Sequence, residues 1–143
     1  MLKHLSLWAI LLFSFTATAQ KPLVWQLLGM TTYQTTPAKD GSLEYVPQFP
    51  SILETKYENE EVAISGYLIP IDLEAGKYAL SKNPFTSCFF CGNAGPETVI
   101  ELRFDKNPGR FATDEYVMIK GVLSLNRNGS GLFFVIRNAE IHG

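Results

Sequence analysis

The stretch TSCFFCGNAGPE, residues 86–97, carries the two cysteines of the chain, Cys88 and Cys91, separated by two phenylalanines. Thiols at this spacing support three kinds of chemistry. As thiolates they converge on one soft or borderline ion, half of a zinc knuckle, with Gly92 after the second cysteine letting the backbone turn inward. A closed zinc site needs two further donors, which His142, Glu97 or the same knuckle of a second copy would supply, the last giving a metal-bridged homodimer. Copper(I) accepts fewer donors. On this reading Cys88, Cys91 and His142 are the ligands, and zinc or copper is the ion.

As a redox dithiol, the pair would need its first cysteine at the amino end of a helix, whose dipole favours the thiolate. Gly92, Gly95 and Pro96 follow closely and oppose a helix there. As a structural disulfide, Cys88–Cys91 would close a very short loop, constrain little chain entropy and form a ring that is easily reduced. Phe85, Phe89 and Phe90 add a separate reading. Packed beneath the loop they are core; facing water they form an apolar patch that contacts a partner protein of the cell envelope or an apolar ligand.

The amino terminus bears on all three readings. Lys3 and His4 precede an apolar run, Leu5 to Phe15, and Ala17-Thr18-Ala19 completes the pattern of a secretory signal cleaved after Ala19. The expected location is therefore periplasmic or secreted, with no transmembrane segment after cleavage. Removing 19 residues from 143 leaves 124, enough for one domain. That mature chain carries 11 basic and 14 acidic side chains, a net charge of −3, and has no electrostatic reason to approach nucleic acid. It keeps one histidine, His142, next to the carboxyl end, where a general base is poorly held. No phosphate loop, paired-histidine zinc motif or calcium loop is present. These features favour a non-enzymatic binding protein.

The elements that must position the loop read as strands. VAISGYLIPI (62–71) and VMIKGVLSL (117–125) share the pattern V-x-I-x-G-x-L, and a glycine inside a β-branched strand marks a bulge or bend. Further strands are expected at 77–81, 97–104 and 132–141. The segment NRNGSG (126–131) reads as a turn in which Gly129 and Gly131 take positive φ. One or two helical turns are expected after Pro50. Residues 20–50 read as an amino-terminal arm that docks Trp25, Leu27 and Leu28 and then wanders. The domain proper, 51–143, is all-β with one short helix: a small five-stranded Greek-key barrel of the oligonucleotide/oligosaccharide-binding (OB) type, with a β-sandwich as the alternative. The cysteines fall in its longest connection, where function concentrates.

VWQLL, VAISGYLIPID, the loop into PETVIEL, and VMIKGVLSL followed by GLFFVIRNAEI resemble an uncharacterised family of small secreted bacterial proteins, domain-of-unknown-function family 3299. The resemblance runs from about Trp25 to Ile141 and implies a β-rich single domain, without implying a reaction. Many members carry a cysteine, an apolar residue, a histidine and a run of prolines in the equivalent loop. Cys88 falls on that cysteine and Pro96 on the end of the proline run. Phe90 stands where the histidine would be, and Cys91 adds a thiol one place later.

Overall fold

The computed structural model describes residues 19–142, so the export signal expected within 1–19 lies almost wholly outside the described residues. In chain order the elements are β1 (Lys21–Pro22), α1 (Trp25–Leu28), β2 (Thr32–Pro37), β3 (Leu43–Gln48), α2 (Ser51–Lys56), β4 (Glu61–Asp72), β5 (Lys77–Ser81), β6 (Val99–Leu102), β7 (Tyr116–Leu125) and β8 (Phe134–His142). Strands β4, β5, β6, β8 and β7 neighbour one another in that order, and β7 returns to pair with β4, which closes a five-stranded barrel. All its pairings are antiparallel except β6 with β8. That is the Greek-key barrel of OB type that the strand pattern predicts.

The repeated V-x-I-x-G pattern closes this barrel. In the β4–β7 ladder Ile64 lies opposite Ile119, Val62 opposite Gly121 and Gly66 opposite Val117, so the two motifs pair about a local dyad. Each glycine sits where another strand crowds the backbone. A Cβ on Gly66 would lie 2.6 Å from the Ser81 carbonyl oxygen, and one on Gly121 2.6 Å from that of Arg137. Beside Gly121 the β7–β8 register shifts, with Asn138 at φ +51°. These two tight spots are where the sheet curls.

Val62, Ile64, Leu68, Tyr78, Leu80, Ile100, Leu102, Ile119, Leu123, Phe134 and Ile136 fill the interior, together with Leu53 from α2 and Leu28 from α1. Tyr78 secures the irregular 103–115 connection. Its hydroxyl donates to the Gly109 carbonyl and accepts from the Phe111 N–H, both at 3.0 Å, and its ring packs edge-on against Phe111. Removing the hydroxyl leaves two backbone groups without their partner. Tyr78→Phe is therefore expected to cost about 1–3 kcal/mol in denaturant unfolding, with faster hydrogen exchange at Phe111.

The amino-terminal arm departs from the sequence reading. Trp25 docks as expected, its indole N–H donating to the Ser65 carbonyl at 2.8 Å, but the following residues do not wander. β2 and β3 form a regular antiparallel hairpin, with Asp40 accepting from Ser42 and Gly41 at φ +84° in the turn. Thr and Tyr in β2 and Tyr and Val in β3 favour strand, and Asp-Gly between them is a hairpin signal.

Arg127, in the 126–131 turn, ties that turn to α2 and the residues after it. It donates to Glu58 at 2.7 and 2.9 Å and to Glu54 at 3.1 Å, and its guanidinium lies over the Phe49 ring. The Arg127 hydrogen bond holds the Glu58 carboxyl below its ordinary value. A depressed folded value means stability that is present above the unfolded pKa and lost as pH falls through the folded one. For a partly exposed pair this amounts to about 1 kcal/mol at most. Arg127→Ala is expected to flatten part of the fall in melting temperature between about pH 5 and about pH 3.

Candidate functional site

The pleat of β5 and β6 explains where the cysteine loop sits. Tyr78, Leu80, Ile100 and Leu102 point into the barrel, so Ala79, Ser81, Val99 and Glu101 point outward. Ile69 stands beside Ala79, and Val135 beside Glu101. Ile69, Ala79, Ser81, Val99 and Val135 are nevertheless buried. Outward side chains stay buried only under cover, and the long connection 82–98, which joins Ser81 to Val99 and brings Phe90 to the wall shared with Ala79, contributes to it. Cys88 in the middle of that connection is fully buried, and Phe90 shares a cavity wall with Ala79 and Glu101.

The cover is a chain of short turns. Its ends are held by Lys82 N–H donating to the Thr98 carbonyl at 3.0 Å and Asn83 N–H donating to Ser81 Oγ at 3.1 Å. Three single 3-10 turns follow, Phe85–Ser87, Phe89–Cys91 and Pro96–Thr98. Phe85 N–H donates to Asp114 Oδ1 at 2.7 Å, and the Asn93 side chain donates to the Thr86 carbonyl at 2.8 Å, which fastens the two limbs of the loop together. Gly92, at φ +74°, ends the middle turn in the left-handed region and stops it from growing into a helix.

Cys88 and Cys91 lie 4.1 Å apart and are not bonded to each other. Their surroundings differ: Cys88 is buried and Cys91 exposed. The Cys91 thiol donates to the Phe85 carbonyl at 3.1 Å. Desolvation by the loop and then the neighbouring Cys88 thiol push the Cys91 pKa up.

The other residues singled out from the sequence are dispersed. His142 ends β8 opposite Met118, exposed, with Nε2 3.5 Å from Glu140 Oε2. Glu97 folds back on Gly95, and its Oε2 is buried without a hydrogen-bond partner. Among the described residues no three His, Cys, Asp or Glu side chains form a group able to hold an ion, so neither residue joins the thiols. Phe85 and Phe90 are exposed, at 41% and 43%, while Phe89 is half-buried with its ring 5.7 Å from that of Phe90. The aromatic trio is thus divided between packing and surface.

Sequence reasoning missed what lies under Phe90. A cavity of about 530 Å³ lies between β5, β6 and the 103–108 connection, with Phe90 reaching it from the loop; its walls include Ile71, Ala79, Phe104 and Leu132, with Lys77, Glu101, Arg103 and Lys106 among its polar groups. The available signal was two-sided burial. KYALS and VIEL carry apolar residues on both faces of the pleat, which a strand open to water on one side would not.

No protein-family model matches the chain, and no curated protein does. Among solved structures it is similar to a DUF3299 family protein from Pseudomonas aeruginosa PAO1, at a TM-score of 0.54 and 11% identity, over 87% of this chain and 97% of that one. The likeness is one of fold, and it agrees with the family resemblance read from the sequence.

Proposed function

We propose that the chain is an exported, non-enzymatic binding protein whose Cys88/Cys91 loop holds a soft metal ion, copper(I) in preference to zinc. The observation that carries the reading is the pair itself: two unbonded thiols 4.1 Å apart, one buried and one at the surface. With metal–sulfur bonds of about 2.3 Å, two thiolates stand about 3.8 Å apart around a tetrahedral ion and about 4.6 Å apart around a linear one. The pair needs only a small adjustment in either case, so the donor set decides. Zinc takes four ligands, whereas thiolates select copper(I), which accepts two. Cys91 would receive the ion from solvent and Cys88 would shield it.

Both thiols must lose their protons to bind, and the Cys91 proton is held more tightly than usual. The apparent affinity for copper(I) is therefore expected to rise with pH across the neutral range. An anaerobic titration of reduced, untagged protein against a coloured copper(I) chelator tests the reading. One tightly held equivalent per chain supports it; a metal-free protein carrying a Cys88–Cys91 disulfide contradicts it. Tight zinc with doubling of the mass would point instead to two copies sharing four thiolates.

The exposure of Phe85 and Phe90 favours a second reading, an interaction module of a cell-envelope complex in which the cysteines only shape the loop. A partner that is kept by the double cysteine-to-serine variant and lost by Phe90→Ala would select it. The dithiol redox role has the least support, because the pair sits on a single 3-10 turn ended by Gly92, with no helix behind it.

A further inference from the structure

We infer that the cavity between β5, β6 and the 103–108 connection, which Phe90 reaches from the cysteine loop, is a second binding site, separate from the thiols, for a small amphipathic anion: an apolar body ending in one carboxylate. The size is right, since about 530 Å³ falls within the usual range for small-molecule sites. The wall chemistry supplies the class. Ile71, Phe90, Phe104 and Leu132 give an apolar surface, and Ile71 and Phe90 are 51% and 43% exposed, unusual for large apolar side chains sharing one concavity.

The polar groups of the cavity are unequally committed. Arg103 Nε donates to Glu101 Oε1 at 2.8 Å, so these two charges satisfy each other. Asn107 Oδ1 accepts from the Gly109 N–H, which fixes that side chain. Lys77 and Lys106 remain, and among the described residues neither ammonium lies within ion-pair distance of a carboxylate. Asp105 is the one uncommitted acid on the wall, so the free charge of the site is positive by one. An anion with an apolar tail meets two free ammonium groups against one carboxylate, and a cation of the same shape meets that balance with the opposite sign.

The site is assembled from parts distant in sequence. The turn before β5 gives Ala75 and Gly76, β5 and β6 give Lys77, Ala79 and Glu101, and the loop gives Phe90. Gly76, at φ +64°, has no room for a side chain because the Asn107 amide packs directly on it.

The test uses metal-free protein with the cysteines reduced, so its outcome does not depend on the copper reading. Dodecanoate is titrated into isotope-labelled protein and followed by NMR and by calorimetry, with dodecyltrimethylammonium as the cationic counterpart. The expected result is saturable one-to-one binding of dodecanoate, with shifts concentrated at Gly76, Ala79, Phe90 and Glu101, and at least roughly tenfold weaker binding of the cation. Phe90→Ala and the Lys77→Ala/Lys106→Ala pair are each expected to weaken dodecanoate about tenfold, the equivalent of one lost desolvated contact or charge-assisted hydrogen bond. These side chains are at the surface, so melting temperature should hold in all the variants. Equal affinity for anion and cation, shifts elsewhere on the barrel, no binding, or indifference to both sets of substitutions would each overturn the inference.

Discussion

Gly66→Ala and Gly121→Ala are each expected to lower the melting temperature by roughly 10–15 °C, the consequence of overpacking at about 3 kcal/mol in a domain of this size. The new methyl group at Gly66 would meet the Ser81 carbonyl oxygen at 2.6 Å, Leu80 Cγ at 3.0 Å and Trp25 Cζ2 at 3.1 Å. At Gly121 it would meet Ile136 Cγ2 at 2.5 Å and the Arg137 carbonyl oxygen at 2.6 Å. A flexible side chain could swing away from such a clash. Backbone carbonyls held in a closed barrel cannot, so the strands themselves must part. Gly41 is the control. It has positive φ but nothing within 4 Å of its virtual Cβ, so Gly41→Ala carries only the left-handed penalty of about 1–2 kcal/mol. Thermal unfolding of the three variants checks the ordering. Losses at Gly66 and Gly121 no larger than that at Gly41 would contradict the close approach of strands as the reason for the two glycines.

Cys88→Ser and Cys91→Ser are expected to weaken copper(I) binding by roughly a hundredfold or more, since removing a ligand must exceed the loss of an outer-shell partner. Their effects on the fold should differ. A serine at the fully buried Cys88 places a hydroxyl out of reach of water, and is expected to cost about 1–3 kcal/mol unless it finds an acceptor. A serine at the exposed Cys91 retains a donor for the Phe85 carbonyl and should leave stability almost unchanged. Cys91→Ser therefore separates metal loss from loop collapse. Competition titration and denaturant unfolding on the same two samples make the comparison. If copper affinity survives in Cys91→Ser, the thiol pair is not the site.

The barrel was legible because its signals are local. Alternating apolar residues marked β4, β5, β7 and β8 to within one or two residues, and the paired glycines marked the places where the sheet curls. Gly129 and Gly131 take the positive φ expected of them in the 126–131 turn. The β2–β3 hairpin was equally local in its Asp40-Gly41 turn, but prolines at 37 and 47 masked the strands on either side of it. The position of the loop was legible only in part. Gly92, Gly95 and Pro96 ruled out a helix behind the cysteines, whereas the approach of Phe90 to Ala79 and Glu101 depends on pairings between strands far apart in sequence. For the same reason spacing could not say that His142 and Glu97 stay apart from the thiols, or that Phe90 closes a cavity whose other walls come from four separate segments. Contacts of that kind belong to the tertiary fold and leave no periodic trace in the chain.

The central claim is that two sulfurs of one loop suffice to hold the ion. X-ray absorption at the copper edge, on reduced protein loaded with one equivalent of copper(I), reads the ligands directly. Two sulfur neighbours and no imidazole pattern is the predicted spectrum; a histidine signature, a three- or four-coordinate ion, or copper that washes off the protein would contradict it.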